Sequence, residues 1–339
     1  MEGKRARLLP LVGLALALPS CERPEADNTL VIGVDTDIAT LLPVVEQSQL
    51  DGEVNEMLYL GLNSARWEDG ALEYIVDDLS LAERWEFSSD STALTYYLRP
   101  EAVWSDGQPV RAADVVFTYD VIRRPEVASP FGDVWESLDS VVALDERRVT
   151  FFFDRQHPRM LFQTGVGIIP AHIFESSAED KASLLSHPTV IDPGGNLVVN
   201  GPFQVAEWRP GERLVLVPNP RAFTASPRVE RVVFRIIPEE VTRLIELKNG
   251  DLDVINPLDL EAAQQFQGDD DVRIETIEQR FYDYVAWNGA KFEAFNDPEV
   301  RRALSLAIDR VAILEGIGIT AYTTPAGGPY PPIFRKLTD

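Results

Sequence analysis

Three histidines, one cysteine and a large excess of carboxylates are the groups from which this 339-residue chain could build chemistry. His157, His172 and His187 show no metal-ligand spacing, and two of them precede proline, so a histidine centre for zinc or nickel has no support. The single cysteine, Cys21, excludes a disulfide within the chain and a thiolate zinc centre. Nucleophilic catalysis finds no Gly-x-Ser-x-Gly elbow, and phosphate chemistry finds no P-loop. Gly165-Val166-Gly167 begins a phosphate-binding glycine pattern, but Pro170 fills the place of its third glycine. The chain carries 55 Asp+Glu against 31 Lys+Arg. An acid/base pair of carboxylates therefore stays open, and with it a secreted hydrolase. No cofactor and no resident metal are expected.

The same acidity excludes nucleic acid as a partner, because a net charge of −24 repels phosphate. It fits either a cationic ligand or a solvated, colloidally stable surface. The acids form no long run, which favours the second. Hydrophobic residues are 45% and charged residues 25%, as in an ordinary globular protein, and the length suffices for two cores.

The first twenty residues read as an address. Lys4, Arg5 and Arg7 precede an almost wholly apolar run from Leu8 to Leu18. Eleven helical residues reach about 16 Å, well short of a hydrocarbon core of about 30 Å. The run is a signal-peptide core rather than a membrane span. Leu18-Pro19-Ser20-Cys21 resembles a bacterial lipobox, which predicts lipidation of Cys21 and attachment to a membrane through acyl chains. Residues 21–28 are polar and read as a tether.

Elements that could position a site follow. Leu30 to Val34 reads as the first core strand, Asp35 to Asp51 as a loop, and Glu53 to Leu62 as a helix with Val54, Leu58 and Leu62 on one face. Leu94, Tyr96 and Leu98 alternate as a strand, and Val149, Phe151 and Phe153 as another, with Val141 to Leu144 as its hairpin partner. Val115, Tyr119 and Ile122 recur at helical spacing from Ala112. Arg209-Pro210-Gly211-Glu212 reads as a type II turn between two strands. Val232 to Ile237, a helix over Glu239 to Asn249 with Val241, Leu244 and Ile245 inward, Gly250 as its stop, and Asp253 to Ile255 suggest a βαβ unit. Asp297 and Pro298 open a helix whose Val300, Ala303, Leu304, Ala307, Ile308 and Val311 form a core-facing stripe. Trp85, Trp104 and Trp208 read as core residues.

Taken in order, these segments resemble the peptide/nickel/opine class of bacterial extracellular solute-binding proteins. The resemblance rests on three stretches. The first runs from Leu79 to Trp85, then Leu94-Thr95-Tyr96-Tyr97-Leu98-Arg99-Pro100, Val103-Trp104-Ser105-Asp106-Gly107-Gln108-Pro109-Val110 and Ala113-Asp114-Val115-Val116-Phe117-Thr118-Tyr119. The second is Asn200-Gly201-Pro202-Phe203, Glu207-Trp208-Arg209-Pro210-Gly211-Glu212, Asn219-Pro220, Val232 to Pro238 and Gly250-Asp251-Leu252-Asp253-Val254-Ile255. The third is Trp287-Asn288, then Phe295 to Leu304 and Ala307-Ile308-Asp309-Arg310. Arg111 departs from the pattern where a helix-capping Thr is usual, so that cap is either lost or supplied by Asp114 nearby. Members of the family continue well past Gly328-Pro329-Tyr330-Pro331-Pro332, so a chain cut short at its C-terminus is expected.

The resemblance implies an α/β, two-lobe, periplasmic-binding-protein-like fold (type II, large peptide-binding cluster) with an incomplete second lobe. Residues 29–62 and 198–280 would form the core of lobe I, residues 63–197 its extension subdomain, and residues 281–339 the start of lobe II. It implies capture of a peptide or similar small polar solute between the lobes by a monomer. Delivery would be to the permease subunits of an ABC importer in the periplasm or at the cell surface, with no bond broken. Nickel chelate, opine or oligosaccharide are the alternative ligands. Carried over by position, the ligand-binding candidates are Gln47 and Gln49 in the first loop, Glu240 and Asn256 in the βαβ unit, and Tyr284, Trp287 and Asn288 at the crossing into lobe II. A solvated loop at Gln47 and Gln49, a helix-terminal acid at Glu240 and hinge packing at Tyr284 and Trp287 remain open beside those roles.

Overall fold

The computed structural model describes residues 28–68, 71–266, 269, 271–275, 284–318, 320 and 325. The expected leader, Cys21 and tether residues 21–27 lie outside the described residues, as do residues 276–283 and the Gly328 to Pro332 motif.

β-Branched and aliphatic runs build the main sheet. β1 (Thr29–Val34), β8 (Phe203–Arg209), β9 (Arg213–Pro218), β10 (Arg231–Ile236) and β11 (Val254–Ile255) form five strands in the order β11-β1-β10-β9-β8. β1 lies parallel to both neighbours, with Leu30 opposite Val232 and Ile32 opposite Val254. The expected turn joins β8 to β9. Glu212 N–H donates to Arg209 O at 2.9 Å, and Gly211 takes the left-handed φ of 76° that the turn needs. A hairpin, β2 (Ser64–Glu68) and β3 (Ala71–Ile75), leads into a second, antiparallel sheet. That sheet contains β4 (Ala82–Phe87), β5 (Ala93–Leu98), β6 (Leu138–Ala143) and β7 (Arg148–Phe153), in the order β4-β5-β7-β6.

Two longer helices cover these sheets. α1 (Gln49–Leu58) starts four residues before the expected Glu53 and ends before Leu62. Ser48 caps it reciprocally with Asp51: Asp51 N–H donates to Ser48 Oγ at 3.0 Å and Ser48 N–H to Asp51 Oδ2 at 3.2 Å. α2 (Ala112–Arg123) buries Val115, Tyr119 and Ile122 as expected. Its cap comes from Asp114, whose Oδ2 accepts Arg111 N–H at 2.8 Å and whose Oδ1 accepts Ala171 N–H at 3.0 Å. The short helices α3 (Met160–Gln163), α4 (Ala171–Phe174), α5 (Lys181–Leu185) and α6 (Pro188–Ile191) pack beside α2 and the second sheet.

α7 (Glu240–Asn249) ends on Gly250 in the left-handed conformation, φ 79°. Its inward face is not the one expected. Leu244 is buried, but Val241 is 68% and Ile245 54% exposed, and Arg243 is buried in their stead. Arg243 Nη1 donates to the carbonyls of Ile237 at 2.6 Å and Pro238 at 3.0 Å, satisfying acceptors that leave the end of β10. That demand, rather than apolar spacing, sets the rotation of the helix. α8 (Leu260–Gln265) then joins Leu244 and Phe266 in a small second core.

The last described segment also corrects an expectation. The stripe from Val300 to Val311 is two helices, α9 (Pro298–Ala307) and α10 (Arg310–Ile317), capped by Asp297 and Asp309. Leu304, Leu306, Val311, Ile313 and Ile317 are exposed, so the stripe faces no core among the described residues.

One continuous core runs from Val34 to Phe234. Trp104 is fully buried, and Trp85 and Trp208 are half-buried against the core. Tyr119 meets Phe151 edge-on with centroids 4.9 Å apart, and Tyr96 meets the same ring at 5.9 Å. Asn200 and Gly201 fasten the chain as it returns to the main sheet. Both donate N–H to Leu58 O, at 3.2 and 2.8 Å, and Asn200 Oδ1 accepts Leu60 N–H at 2.7 Å. Asn219 Nδ2 donates to Gly201 O at 2.9 Å, which ties the Asn200-Gly201-Pro202 and Asn219-Pro220 segments together.

Candidate functional site

In an open sheet, parallel strands direct the segments that leave their carboxyl ends toward a common crevice. Three such strands lie side by side here, and four expected site residues follow their carboxyl ends. The loop after β1 carries Gln47 and leads into α1, which Gln49 opens, Glu240 opens the helix after β10, and Asn256 follows β11 directly.

The loop after β1 is packed, although its sequence reads as irregular. Ile38, Leu41, Leu42, Val44 and Val45 are buried beneath it. A single buried carboxylate gathers its backbone. Asp51 Oδ1 accepts Ala39 N–H at 2.8 Å and Thr40 N–H at 3.4 Å, and Oδ2 accepts Gln47 N–H at 2.8 Å and Ser48 N–H at 3.2 Å. Asp37 Oδ2 accepts Gly211 N–H at 2.6 Å, which ties the loop to the β8–β9 turn. Gln47 is thus held by its backbone with its side chain exposed.

Gln49 and Asn256, 207 positions apart, meet through a residue that the sequence did not single out. Gln49 Nε2 donates to Glu53 Oε1 at 2.8 Å, and Asn256 Nδ2 donates to Glu53 Oε2 at 3.2 Å. Gln49 stands in the first turn of α1 and not in the loop. Glu240 sits half-buried in the first turn of α7, outside this bridge. Tyr284, Trp287 and Asn288 belong to the segment 284–318. Tyr284 is 75% exposed, and the Trp287 ring lies 5.3 Å from Phe295. Asn288 Oδ1 accepts the N–H groups of Ala290 and Lys291, both at 3.1 Å, so it caps a local turn.

Glu46, beside Gln47, is the second residue missed by the sequence reading. Burial pushes its carboxyl up to about 7, the neighbouring Asn55 amide opposes the shift, and the charges of Glu56 and Asp51 add to it. A carboxyl raised in the folded state binds protons that the unfolded chain, titrating near 4.5, releases. Stability must therefore fall as pH rises from about 4.5 to about 7 and then level off as far as Glu46 is concerned. Glu46→Gln is expected to flatten that fall and to stabilise the protein at pH 8 by on the order of 2 kcal/mol. Urea unfolding at pH 5 and pH 8 measures both effects, and an unchanged pH dependence would refute the assignment.

The chemistry available here is hydrogen bonding by amides and carboxylates around a crevice. Among the described residues no group of three or more His, Cys, Asp or Glu could hold a metal ion. A hollow of about 470 Å³ lies away from the crevice, lined by Glu83, Tyr97, Arg147, Arg148 and neighbours. Two of its polar walls are already paired, Arg148 with Asp145 and Tyr97 with Glu86, and it is formed by exposed strand and turn residues.

Comparison with known proteins accords with this architecture. The chain is 28% identical over 317 residues to the probable D,D-dipeptide-binding periplasmic protein DdpA of Escherichia coli, covering 92% of this chain and 59% of that one. The oligopeptide-binding protein AppA of Bacillus subtilis, solved with a nonapeptide, superposes with a TM-score of 0.74 at 24% identity, over 90% of this chain and 58% of that one. MoaA of A. tumefaciens R10, solved with mannopinic acid, gives a TM-score of 0.71 at 28% identity, over 86% and 58%. The chain thus spans less than three-fifths of the length of these relatives. Its fold is the mixed α/β arrangement of the periplasmic peptide-binding proteins. Residues 79–339 match the family described as bacterial extracellular solute-binding proteins, family 5 Middle, and the chain belongs to that family.

Proposed function

We propose that the chain is the greater part of an extracytoplasmic lipoprotein that captures peptides or similar small polar solutes and hands them to the permease subunits of an ABC importer. The observation that carries this reading is that Glu53 bridges Gln49 and Asn256 where chain segments leave the carboxyl ends of the parallel strands. Amides and carboxylates at such an edge suit the main-chain hydrogen bonds by which extended peptides are held. Glu53 would exchange one of its amide partners for a peptide N–H, with Tyr284, Trp287 and Asn288 facing the solute from the second lobe. Closure of the two lobes would report occupancy to the importer, since a ligand shifts an equilibrium by its differential affinity for the two states. Nothing in this scheme breaks a bond. Lipid on Cys21 would keep the monomer at the outer face of a membrane, in the periplasm or at the cell surface.

Nickel chelate, opine or oligosaccharide would fit the same fold, and the mannopinic acid bound by MoaA keeps the opine reading in view. Thermal unfolding in the presence of peptide and opine libraries separates these ligands. A true ligand at about a hundred times its Kd adds roughly 2.7 kcal/mol of stability. Glu53→Ala and Asn256→Ala should remove most of that gain while leaving the unliganded protein folded. Membrane fractionation of the Cys21→Ser variant tests the anchor in the same preparations. Consumption of any library member, with product released, would replace capture by hydrolysis.

A further inference from the structure

We infer that Asn288 is a site of covalent modification, where the Asn288-Gly289 link closes to a succinimide and reopens as aspartate and isoaspartate, while the fold shields every other Asn-Gly pair. The chain has three such pairs, Asn200-Gly201, Asn249-Gly250 and Asn288-Gly289. Glycine favours the reaction because no side chain screens its nitrogen. The inference is independent of the solute-capture reading.

The step needs only water and hydroxide. Gly289 N gives up its proton and bonds to Asn288 Cγ, the Cγ–Nδ2 bond breaks, and the amide nitrogen leaves as ammonia. Water then opens the ring. Cleavage between Cγ and Gly289 N leaves aspartate. Cleavage between that nitrogen and the main-chain carbonyl carbon of residue 288 leaves isoaspartate, whose backbone is one methylene longer. In sum, one amide and one water become one carboxylate and one ammonium. Three things favour closure: an attacking N–H not tied up in a hydrogen bond, an amide turned toward the following residue, and donors for the charge that develops on Oδ1.

Asn288 meets all three. It is exposed, and Gly289 N–H donates to no group among the described residues. Its Oδ1 accepts the N–H groups of Ala290 and Lys291, both at 3.1 Å. Those donors lie beyond Gly289, so the bonds turn the amide forward along the chain. They also stand ready for the oxyanion that forms when Cγ is attacked. Asn296 Nδ2 donates to Gly289 O at 3.2 Å, which holds the far side of this glycine and leaves its nitrogen alone. The other two pairs fail the first requirement. Gly201 N–H donates to Leu58 O at 2.8 Å, and Asn200 has no exposed surface, with Oδ1 taken by Leu60 N–H at 2.7 Å. Asn249 is as open to water as Asn288, but it closes α7, and Gly250 N–H donates to Leu247 O at 3.0 Å. Exposure alone therefore does not separate Asn249 from Asn288, whereas the bond on the attacking nitrogen does. Aspartate at 288 would keep the turn and add a negative charge. Isoaspartate would lengthen the backbone inside the turn and break it.

Incubation of the folded protein at mildly alkaline pH, followed by peptide mapping, tests the assignment. The peptide that contains Asn288 is expected to gain about 1 Da, with isoaspartate identified by electron-transfer fragmentation. The peptides that contain Asn249 and Asn200 should change at least about tenfold more slowly, because each must first open locally. In concentrated urea, where no fold distinguishes them, the three rates should converge to within about threefold. Asn288→Gln, which would have to close a larger and less favoured ring, should abolish the change at 288 and most of the ammonia released by the folded protein. An unchanged Asn288 peptide would overturn the inference, as would equal rates at the three pairs in the folded state. A preference for Asn288 that persists undiminished in urea would show that the fold does not select the site, and ammonia release unaltered by Asn288→Gln would place the reaction elsewhere.

Discussion

Gly201→Ala is expected to destabilise the protein by about 3–5 kcal/mol, one of the two largest effects of any single substitution considered for this fold. A Cβ at position 201 would lie 2.5 Å from Met57 O, 2.7 Å from Leu58 C and 2.8 Å from Leu58 O. All three are backbone atoms, so no side chain can swing aside. Relief would require moving the end of α1 or pulling Gly201 away, which breaks its N–H bond to Leu58 O and loosens the Asn200 bond to Leu60. Each such bond lost inside the protein costs a further increment of about 1 kcal/mol. Gly132→Ala is the matched control, since nothing lies within 4 Å of its Cβ position, and it should stay within about 0.5 kcal/mol of the parent. Chemical denaturation of the two variants gives the comparison directly. A Gly201→Ala protein as stable as the Gly132→Ala one would show that the join between α1 and the returning chain has slack that the packing does not reveal.

The second large effect belongs to Asp51. Asp51→Ala removes an acceptor for four N–H groups at a residue with no exposed surface, and about 3–5 kcal/mol should be lost. Asp51→Asn separates charge from geometry. It keeps the volume and one carbonyl oxygen but turns an NH2 group toward either Ala39 and Thr40 or Gln47 and Ser48. About half of the loss is expected to remain. The consequence reaches function, because these bonds fix the backbone on which Gln47 and Glu46 stand. Ligand affinity should therefore fall in Asp51→Asn by more than its stability alone accounts for, measured at a temperature where both proteins are fully folded. Undiminished affinity would mean that the loop holds its shape through Ile38, Leu41 and Leu42 alone.

The sequence is most legible where side-chain alternation and turn chemistry decide the outcome. The strands around Tyr96 and Phe151, the Arg209 to Glu212 turn, the Asp114 cap and the Gly250 stop all follow from local rules. Misreadings cluster where a polar residue occupies an inward position. Asp51 and Asn55 face the interior of α1, so an apolar count started that helix too late. Arg243 takes the inward place on α7 because two carbonyls need a donor, and the apolar Val241 and Ile245 are turned out to solvent. The stripe in α9 and α10 keeps its helical spacing across the break at Asp309 by coincidence of phase, and Asp309 itself marks the new start by accepting Ala312 N–H at 3.0 Å.

The candidate site was legible in part for a related reason. Gln49 and Asn256 came from a family pattern, whereas Glu53, which joins them, looks in sequence like an ordinary acid on a solvated helix face. Its role exists only because β11 returns to the edge of β1. Glu46 is similarly silent, since its environment is made by Gly52 and Asn55 in the first and second turns of α1.

The position of β1 has a kinetic consequence. It is the first of the described strands in chain order, yet both of its partners come more than 200 residues later, with Leu30 waiting for Val232 and Ile32 for Val254. Pairing at such separation is slow, because a long loop must close before any bond rewards it. No early fragment of the polypeptide can complete the main sheet, so the nascent chain should lack its central strand pairing until residues 231–255 are available.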